Sequence, residues 1–358
     1  MILHRMKQLI QLLSGAVFLL LSYHGKSQLV PTDSMTIVQT PKGYYELFQD
    51  RLTWRVLGSK KYTALEGFPK KDDIRSTRYR PTAPVNTGIG ATYKFLTINV
   101  VYGFKPFNPL RFDIGKSKFL DAQSHFLGRK SNIEFYGQLY RGFYTENLYG
   151  RPDNSFREDI KSLVFSVTYE RVINWRRYSM RAVVNQSERQ LKSAGTPLLG
   201  WGFNVVRYKG DSTFYFNDEG SAGYGLNKLV SLVTGPTVGY AYTLAIAKRA
   251  YIMAAATGQL GLHYTTETMG SGKEHHFAVK PNTLLRTGAG YVGNRWGATI
   301  QWQGIVYHGS SSDMLYRYGS GRILGTINYS LQVRRKNFIL RTIDNTGNML
   351  KKQDQSPG

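Results

Sequence analysis

The feature that most constrains this chain is a two-residue hydrophobic period that becomes regular at Asn86 and recurs toward the C-terminus. Leu163, Phe165, Val167 and Tyr169 alternate with Ser162, Val164, Ser166 and Thr168. Successive side chains of a strand point to opposite faces, so such a run has one apolar face and one largely polar or small face. Ile89, Ala91 and Tyr93 stand against Gly88, Gly90 and Thr92 in the same way, and Trp201, Phe203 and Val205 against Gly200, Gly202 and Asn204. The pattern continues in Trp296, Ala298, Ile300 and Trp302, and again in Ile323, Ile327, Tyr329 and Leu331. No segment repeats apolar residues at helical spacing over three turns. The abundance of Gly and aromatic residues agrees with strands and turns.

A soluble β-sandwich also alternates, so the period alone does not decide the architecture. Length and export favour a membrane barrel. The runs extend over about 9 to 13 residues, nearer the span of a tilted transmembrane strand than that of a soluble one. At the N-terminus, Arg5 and Lys7 precede an apolar run from Leu9 to Leu21, followed by the small residues Gly25 and Ser27. That run is shorter than the roughly 20 residues of a membrane helix, and the pattern is that of a secretory signal cleaved after Ser27. The expected organisation is a signal peptide at 1–27, a periplasmic lead-in at 28–50, a barrel at 51–343 and a polar tail at 344–358. The fold expected is an all-β, antiparallel transmembrane barrel of about 12 to 14 strands, in the outer membrane of a Gram-negative cell. The higher count needs an extra strand near 211–217, and the segments 52–57, 60–67 and 74–80 are read as weaker strands.

Connections carry a second signal, because such barrels join strands by short periplasmic turns and longer extracellular loops. Short turns are expected at Lys94–Leu96, Gly128–Ser131, Asn174–Arg177, Ala247–Arg249, Gly293–Arg295 and Arg334–Asn337, and long links at 105–118, 142–160, 265–279 and 308–321. The short turns are basic and flanked by Phe95, Trp175, Tyr178, Tyr251, Trp296 and Phe338. Cations beside an aromatic belt suit anionic lipid head groups, which makes outer-membrane lipids the first expected partner.

The absence of cysteine excludes a disulfide framework, a thiolate metal site and a lipidated N-terminal cysteine. A formal charge of +24 raises nucleic acid as a partner, but the charge is dispersed and the chain is exported, so none is expected. Three functions fit. The first is a channel or transporter for small anionic solutes, with Lys94 and Arg181 placed on lumen faces and Glu134 and Glu170 also facing inward. The second is a non-catalytic protein that docks other envelope proteins. The third is an enzyme acting on lipid or glycan, for which Ser193 and His308 are candidates without a nucleophile-elbow sequence around them.

The strongest polar constellation lies around the turn at Gly128–Ser131. Asp121, Gln123 and His125 alternate with apolar Leu120, Ala122 and Phe126, and the next strand offers Glu134, Tyr136 and Gln138. A four-residue turn pairs His125 with Glu134, Gln123 with Tyr136 and Asp121 with Gln138, all facing the lumen. A His beside a carboxylate can act as a base or bind a solute, but such a set more often fills a barrel as a satisfied network. Glu267, His275 and His276 read as part of a solvated loop, and Gly270–Glu274 lacks two of the marks of a phosphate-binding loop. No metal or cofactor is expected.

The run from Arg80 to Lys94 resembles a family of uncharacterised Bacteroidota outer-membrane proteins classed under a domain of unknown function. Gly115–Asp121, Tyr140–Tyr144, Lys192–Gly195 and Lys209–Ser212 agree with it, and the resemblance extends over roughly residues 45 to 335. It implies a barrel without an established activity.

Overall fold

The computed structural model describes residues 28–31, 37–40, 43–48, 50–69, 77–82, 85–94, 96–103, 115–147, 152–214, 225–270, 272–311, 314–335 and 340–345. The expected signal peptide, and all but the first two residues of the expected tail, lie outside them. In chain order the elements are β1 (Gln28–Pro31), β2 (Ile37–Gln39), β3 (Tyr45–Phe48), β4 (Arg51–Pro69), β5 (Thr77–Arg80), β6 (Val85–Tyr93), β7 (Leu96–Gly103), β8 (Lys118–Leu127), β9 (Ser131–Asn147) and β10 (Pro152–Val172). There follow α1 (Met180–Val184), β11 (Glu188–Gln190), β12 (Ala194–Lys209), β13 (Lys228–Ile246), β14 (Ala250–Met269), β15 (Gly272–Val292), β16 (Trp296–Ser310) and β17 (Met314–Arg335). No helix among the described residues is long and apolar enough to cross a membrane.

The first and last long strands join: β4 pairs with β17 from Arg51↔Gln332 to Pro69↔Met314, which closes the sheet. The closed ring has ten strands, β4-β5-β9-β10-β12-β13-β14-β15-β16-β17, all pairings antiparallel, with β1, β6, β7 and β8 as additions. We call the end where β4 begins and β17 finishes the near end. At the far end the four-residue β5 bridges β4 and β9 through Leu65↔Tyr79 and Tyr79↔Thr145. Toward the near end β4 and β9 part. The wall there runs through β6, β7 and β8: Leu52 to Lys60 pair with β6, Asn132 to Arg141 with β8, and β7 meets β8 at Leu96↔Phe126. Three strands replace one, so the near half is wider. The ten-strand ring is smaller than expected because β5 bypasses β6–β8 at the far end.

The expected strands 52–57 and 60–67 are one continuous β4. Lys61, a charge that interrupts the pattern of this strand, is buried inside and its ammonium stands 5.9 Å from the Tyr136 ring. The expected long links at 142–160, 265–279 and 308–321 are mostly strand, since β9, β10, β14, β15, β16 and β17 run through them. Polar residues there lie on strands that continue beyond the apolar band, and loss of the hydrophobic period was read as the end of the strand. Residues 105–114 of the link at 105–118 lie outside the described residues. Conversely, the expected short turn at 174–177 opens a long near-end connection, 173–193, that contains α1 and β11. Residues 211–214 are not strand, and 215–217 lie outside the described residues.

The faces sort as the period requires. Along β14, Tyr251, Met253, Ala255, Thr257, Gln259, His263, Thr265 and Glu267 point inward and are buried, while Ile252, Leu260, Leu262 and Tyr264 point outward and are exposed. Val56, Val238, Ile300 and Ile327 on other strands are each at least 59% exposed. An exterior band of large apolar side chains around a closed barrel with a polar interior matches hydrocarbon outside, not water.

Candidate functional site

The turn at 128–131 sets the register of the β8–β9 hairpin, with Gly128 N donating to Ser131 O (2.8 Å). Leu127 stands opposite Asn132, so His125 pairs with Glu134, Gln123 with Tyr136 and Asp121 with Gln138. The side chains of Asp121 and Gln123 lie outside the described residues. The other four reach other strands or each other. Tyr136 Oη lies 2.9 Å from Ser320 Oγ, Ser320 donates to Gln138 Oε1 (2.9 Å), and His125 Nδ1 is 3.7 Å from Glu134 Oε1.

Glu134 has stronger partners across the interior. Arg286, on β15, places Nη2 3.0 Å from Glu134 Oε2 and Nη1 2.9 Å from Glu170 Oε1. Gln303 donates to Glu134 Oε1 (2.9 Å) and Thr257 to Glu170 Oε1 (3.2 Å). A buried carboxylate, Glu170, and a largely buried one, Glu134, need cations and donors to offset their lost hydration, and this guanidinium serves both. Sequence reasoning placed Glu134 and Glu170 inside but missed Arg286. The available signal was a lone charge within Thr283–Gly288, since a charge in mid-strand of a membrane barrel is costly on the lipid face. His125, Glu134, Glu170, Arg286 and Arg322 line a cavity of about 40 Å³ whose near side is Met180 and Val183. With both carboxylates tied to Arg286, the arrangement is a brace between strands and not a free base.

The near-end connection enters the barrel and plugs it. Ser179 caps α1, its Oγ accepting from Ala182 N (3.1 Å). The last carbonyls of so short a helix need donors, and the barrel wall supplies them. Tyr251 Oη and Gln301 Nε2 both donate to Val183 O (2.9 Å), Gln301 also donates to Val184 O (3.0 Å), and Arg55 donates to Asn185 O (3.0 Å). Gln186 donates to Ala298 O (3.0 Å) and accepts from Asn328. Next, β11 pairs with β3, which makes a three-stranded sheet with β2. Tyr45 donates to Trp175 O (2.9 Å), and burial, helped by the Glu188 carboxylate, pushes its phenol up to about 12. Burial lowers the Arg189 guanidinium, opposed by Glu46 at 3.2 Å.

This plug corrects the placement of Arg181. It lies on α1, donates from Nε to Leu127 O (2.6 Å) and has Nη1 3.5 Å from Glu188, so it lines no open pore. Lys94 is also off the lumen. It occupies a near-end turn at φ 54°, where its ammonium pairs with Asp344 and lies 3.6 Å from Asp50. A five-residue helix is too short to show a helical period, so the sequence offers only the short turn at 174–177 and sets Arg181 on a lumen face beyond it.

At the far end the interior is aromatic. Tyr208 lies between Phe143 and Tyr318, with centroids at 5.9 and 6.2 Å, and Tyr79 meets Phe214 edge-on at 5.4 Å. Segments that carried the resemblance meet beside this layer. Ser117 Oγ accepts from Thr82 N (2.8 Å) and donates to Gly142 O (2.7 Å). Gly142 has φ +90°, and a Cβ there would come within 2.7 Å of the Phe156 ring. Asp159 accepts from Asp211 N (2.8 Å) and is clamped by Arg157 (2.7 Å). These groups brace backbone and present no reactive atom. Ser193 and His308 are not brought together: Ser193 Oγ accepts from Ala245 N (3.1 Å) at the near end, while His308, near the far end of β16, donates from Nδ1 to Pro281 O (3.0 Å).

A family model described as a domain of unknown function, DUF4421, matches residues 33–323. No curated protein matches the sequence. Among solved structures, the outer membrane protease OmpT from Escherichia coli is similar at 6% identity and TM-score 0.44, covering 84% of this chain and 99% of that one. The translocator domain of the autotransporter NalP from Neisseria meningitidis is similar at 12% identity and TM-score 0.30, with 79% and 90% covered. The outer membrane protein OprG from Pseudomonas aeruginosa is similar at 9% identity and TM-score 0.23, with 78% and 95% covered. Likeness this distant carries no information on activity.

Proposed function

We propose that this chain, which belongs to the DUF4421 family, is an outer-membrane barrel closed to solutes that serves as a docking scaffold, its working surfaces being its two ends. The observation that carries this reading is Arg286 spanning the interior from β15 to Glu134 and Glu170 on β9 and β10, directly over the plug. Among the described residues the interior is filled by aromatic side chains, a charged brace and folded chain in succession. An anion channel needs a continuous polar path, and the two cations invoked for it, Lys94 and Arg181, are engaged elsewhere.

The exterior apolar band supports membrane insertion, and a signal peptide at 1–27 supports export. With the near end toward the periplasm, the exposed Arg171, Arg176, Arg177, Lys192, Lys248 and Arg249 form a basic rim suited to anionic head groups. Aromatic rings hold part of it in place: Arg176 lies 5.1 Å from the Trp175 ring and Arg177 5.6 Å from the Tyr44 ring. Purified full-length protein inserted in planar bilayers is expected to give no steady conductance. An ohmic, anion-preferring conductance would overturn the closed scaffold and reinstate the channel.

A further inference from the structure

The β14–β15 hairpin is paired up to Met269↔Gly272, and its register sets Glu267 directly opposite Glu274 and Thr265 opposite His276. Glu267, Glu274 and His276 therefore share the inward face. Like charges directly opposed across a strand pair repel, and Glu267 is only 2% exposed, so its charge is poorly hydrated. Among the described residues no Lys or Arg reaches ion-pair distance of either carboxylate. What does is His276: its Nε2 lies 3.2 Å from Glu267 Oε2 and 3.5 Å from Glu274 Oε2. That nitrogen is enclosed and makes no hydrogen bond. One donor atom from each of the three residues falls within 4.8 Å of the others. Tyr316, from β17, donates to Glu267 Oε1, which fixes the carboxylate and leaves Oε2 toward the imidazole. The neighbouring His275 points outward and stacks on Tyr264 at 5.6 Å, so only one of the adjacent histidines joins the group.

We propose that Glu267, Glu274 and His276 form a divalent-metal site of the zinc type at the far end of the barrel. A dication placed among them cancels the repulsion between the opposed carboxylates and uses the idle imidazole nitrogen. One imidazole with two carboxylates suits Zn²⁺ and its transition-metal neighbours, whereas Ca²⁺ and Mg²⁺ favour oxygen-only sets of six or more ligands. Three protein ligands leave a fourth position for water or an external ligand. Tyr316 orients Glu267 and is a positioning residue. The site is independent of whether the interior conducts.

The test uses full-length protein in detergent, stripped with a chelator and titrated with Zn²⁺ by calorimetry, with Co²⁺ absorption as a spectroscopic probe. One equivalent of Zn²⁺ is expected per chain, with Co²⁺ bands of a nitrogen- and oxygen-ligated ion. Substitution His276→Ala should weaken Zn²⁺ at least tenfold and abolish those bands, and Glu267→Gln should act in the same direction. Because Glu267 is buried, Glu274→Gln at the exposed rim provides a variant whose folding is not at risk, and it too should weaken binding. His308→Ala, outside the group, should bind as the unsubstituted chain does. Absence of stoichiometric Zn²⁺ binding, or equal binding by the His276→Ala and Glu274→Gln variants, overturns the proposal and leaves a simple histidine–carboxylate ion pair.

Discussion

The near and far halves of this barrel solve one problem in different ways. In the far half β5 closes the wall at ten strands, and side chains such as Tyr79, Phe143, Tyr208 and Tyr318 fill the interior. In the near half the wall opens through β6, β7 and β8, and side chains are no longer enough. There, folded main chain fills the space: α1, β11 and the β2–β3 pair. Barrel diameter grows with strand number, so the added strands create a volume that only backbone can occupy. Backbone brings polar groups with it, and the near-half lining is accordingly rich in donors such as Tyr251, Gln301 and Arg55. The charged brace around Arg286 lies between the two kinds of filling.

The comparison predicts where stability is concentrated. Replacing Arg286 by Leu strands the buried Glu170 and the largely buried Glu134 and should cost about 3–5 kcal/mol in urea unfolding followed by tryptophan fluorescence. Adding Glu134→Gln and Glu170→Gln should restore most of that loss. If Arg286→Leu alone leaves the midpoint unchanged, the brace is not what joins the halves. In the far half Tyr208→Ala removes a fully buried ring from a side-chain core and should cost roughly 3 kcal/mol. A loss within a few tenths of zero would mean that the aromatic layer is loosely packed. In the near half Ser179→Ala removes the cap of α1 and should cost about 1 kcal/mol, because the plug is held by many backbone bonds in parallel. A loss as large as that at Tyr208 would erase the distinction between the halves.

The β8–β9 hairpin marks how far the sequence could be read. Its alternation and four-residue turn were enough to pair His125 with Glu134, because a strand register is a local property set by turn length. The partner that satisfies Glu134 was out of reach. Arg286 is 152 residues away in sequence, and nothing local states which strand faces β9 across a closed ring. The opposed pair Glu267 and Glu274 failed differently. Its hairpin was read as loop, since polar strand extensions carry no hydrophobic period, and only the register revealed that His276 belongs with the two carboxylates.

What the sequence determined by itself is therefore the wall: strands of period two, an apolar outside, a polar or small-residue inside and antiparallel neighbours joined in order, all of which follow from the chemistry of adjacent residues. What only the tertiary structure decided is the content of the barrel. The bypass by β5, the entry of residues 173–193 into the lumen and the meeting of Arg286 with two carboxylates depend on the circumference at which the sheet closes, and closure is a property of all strands together.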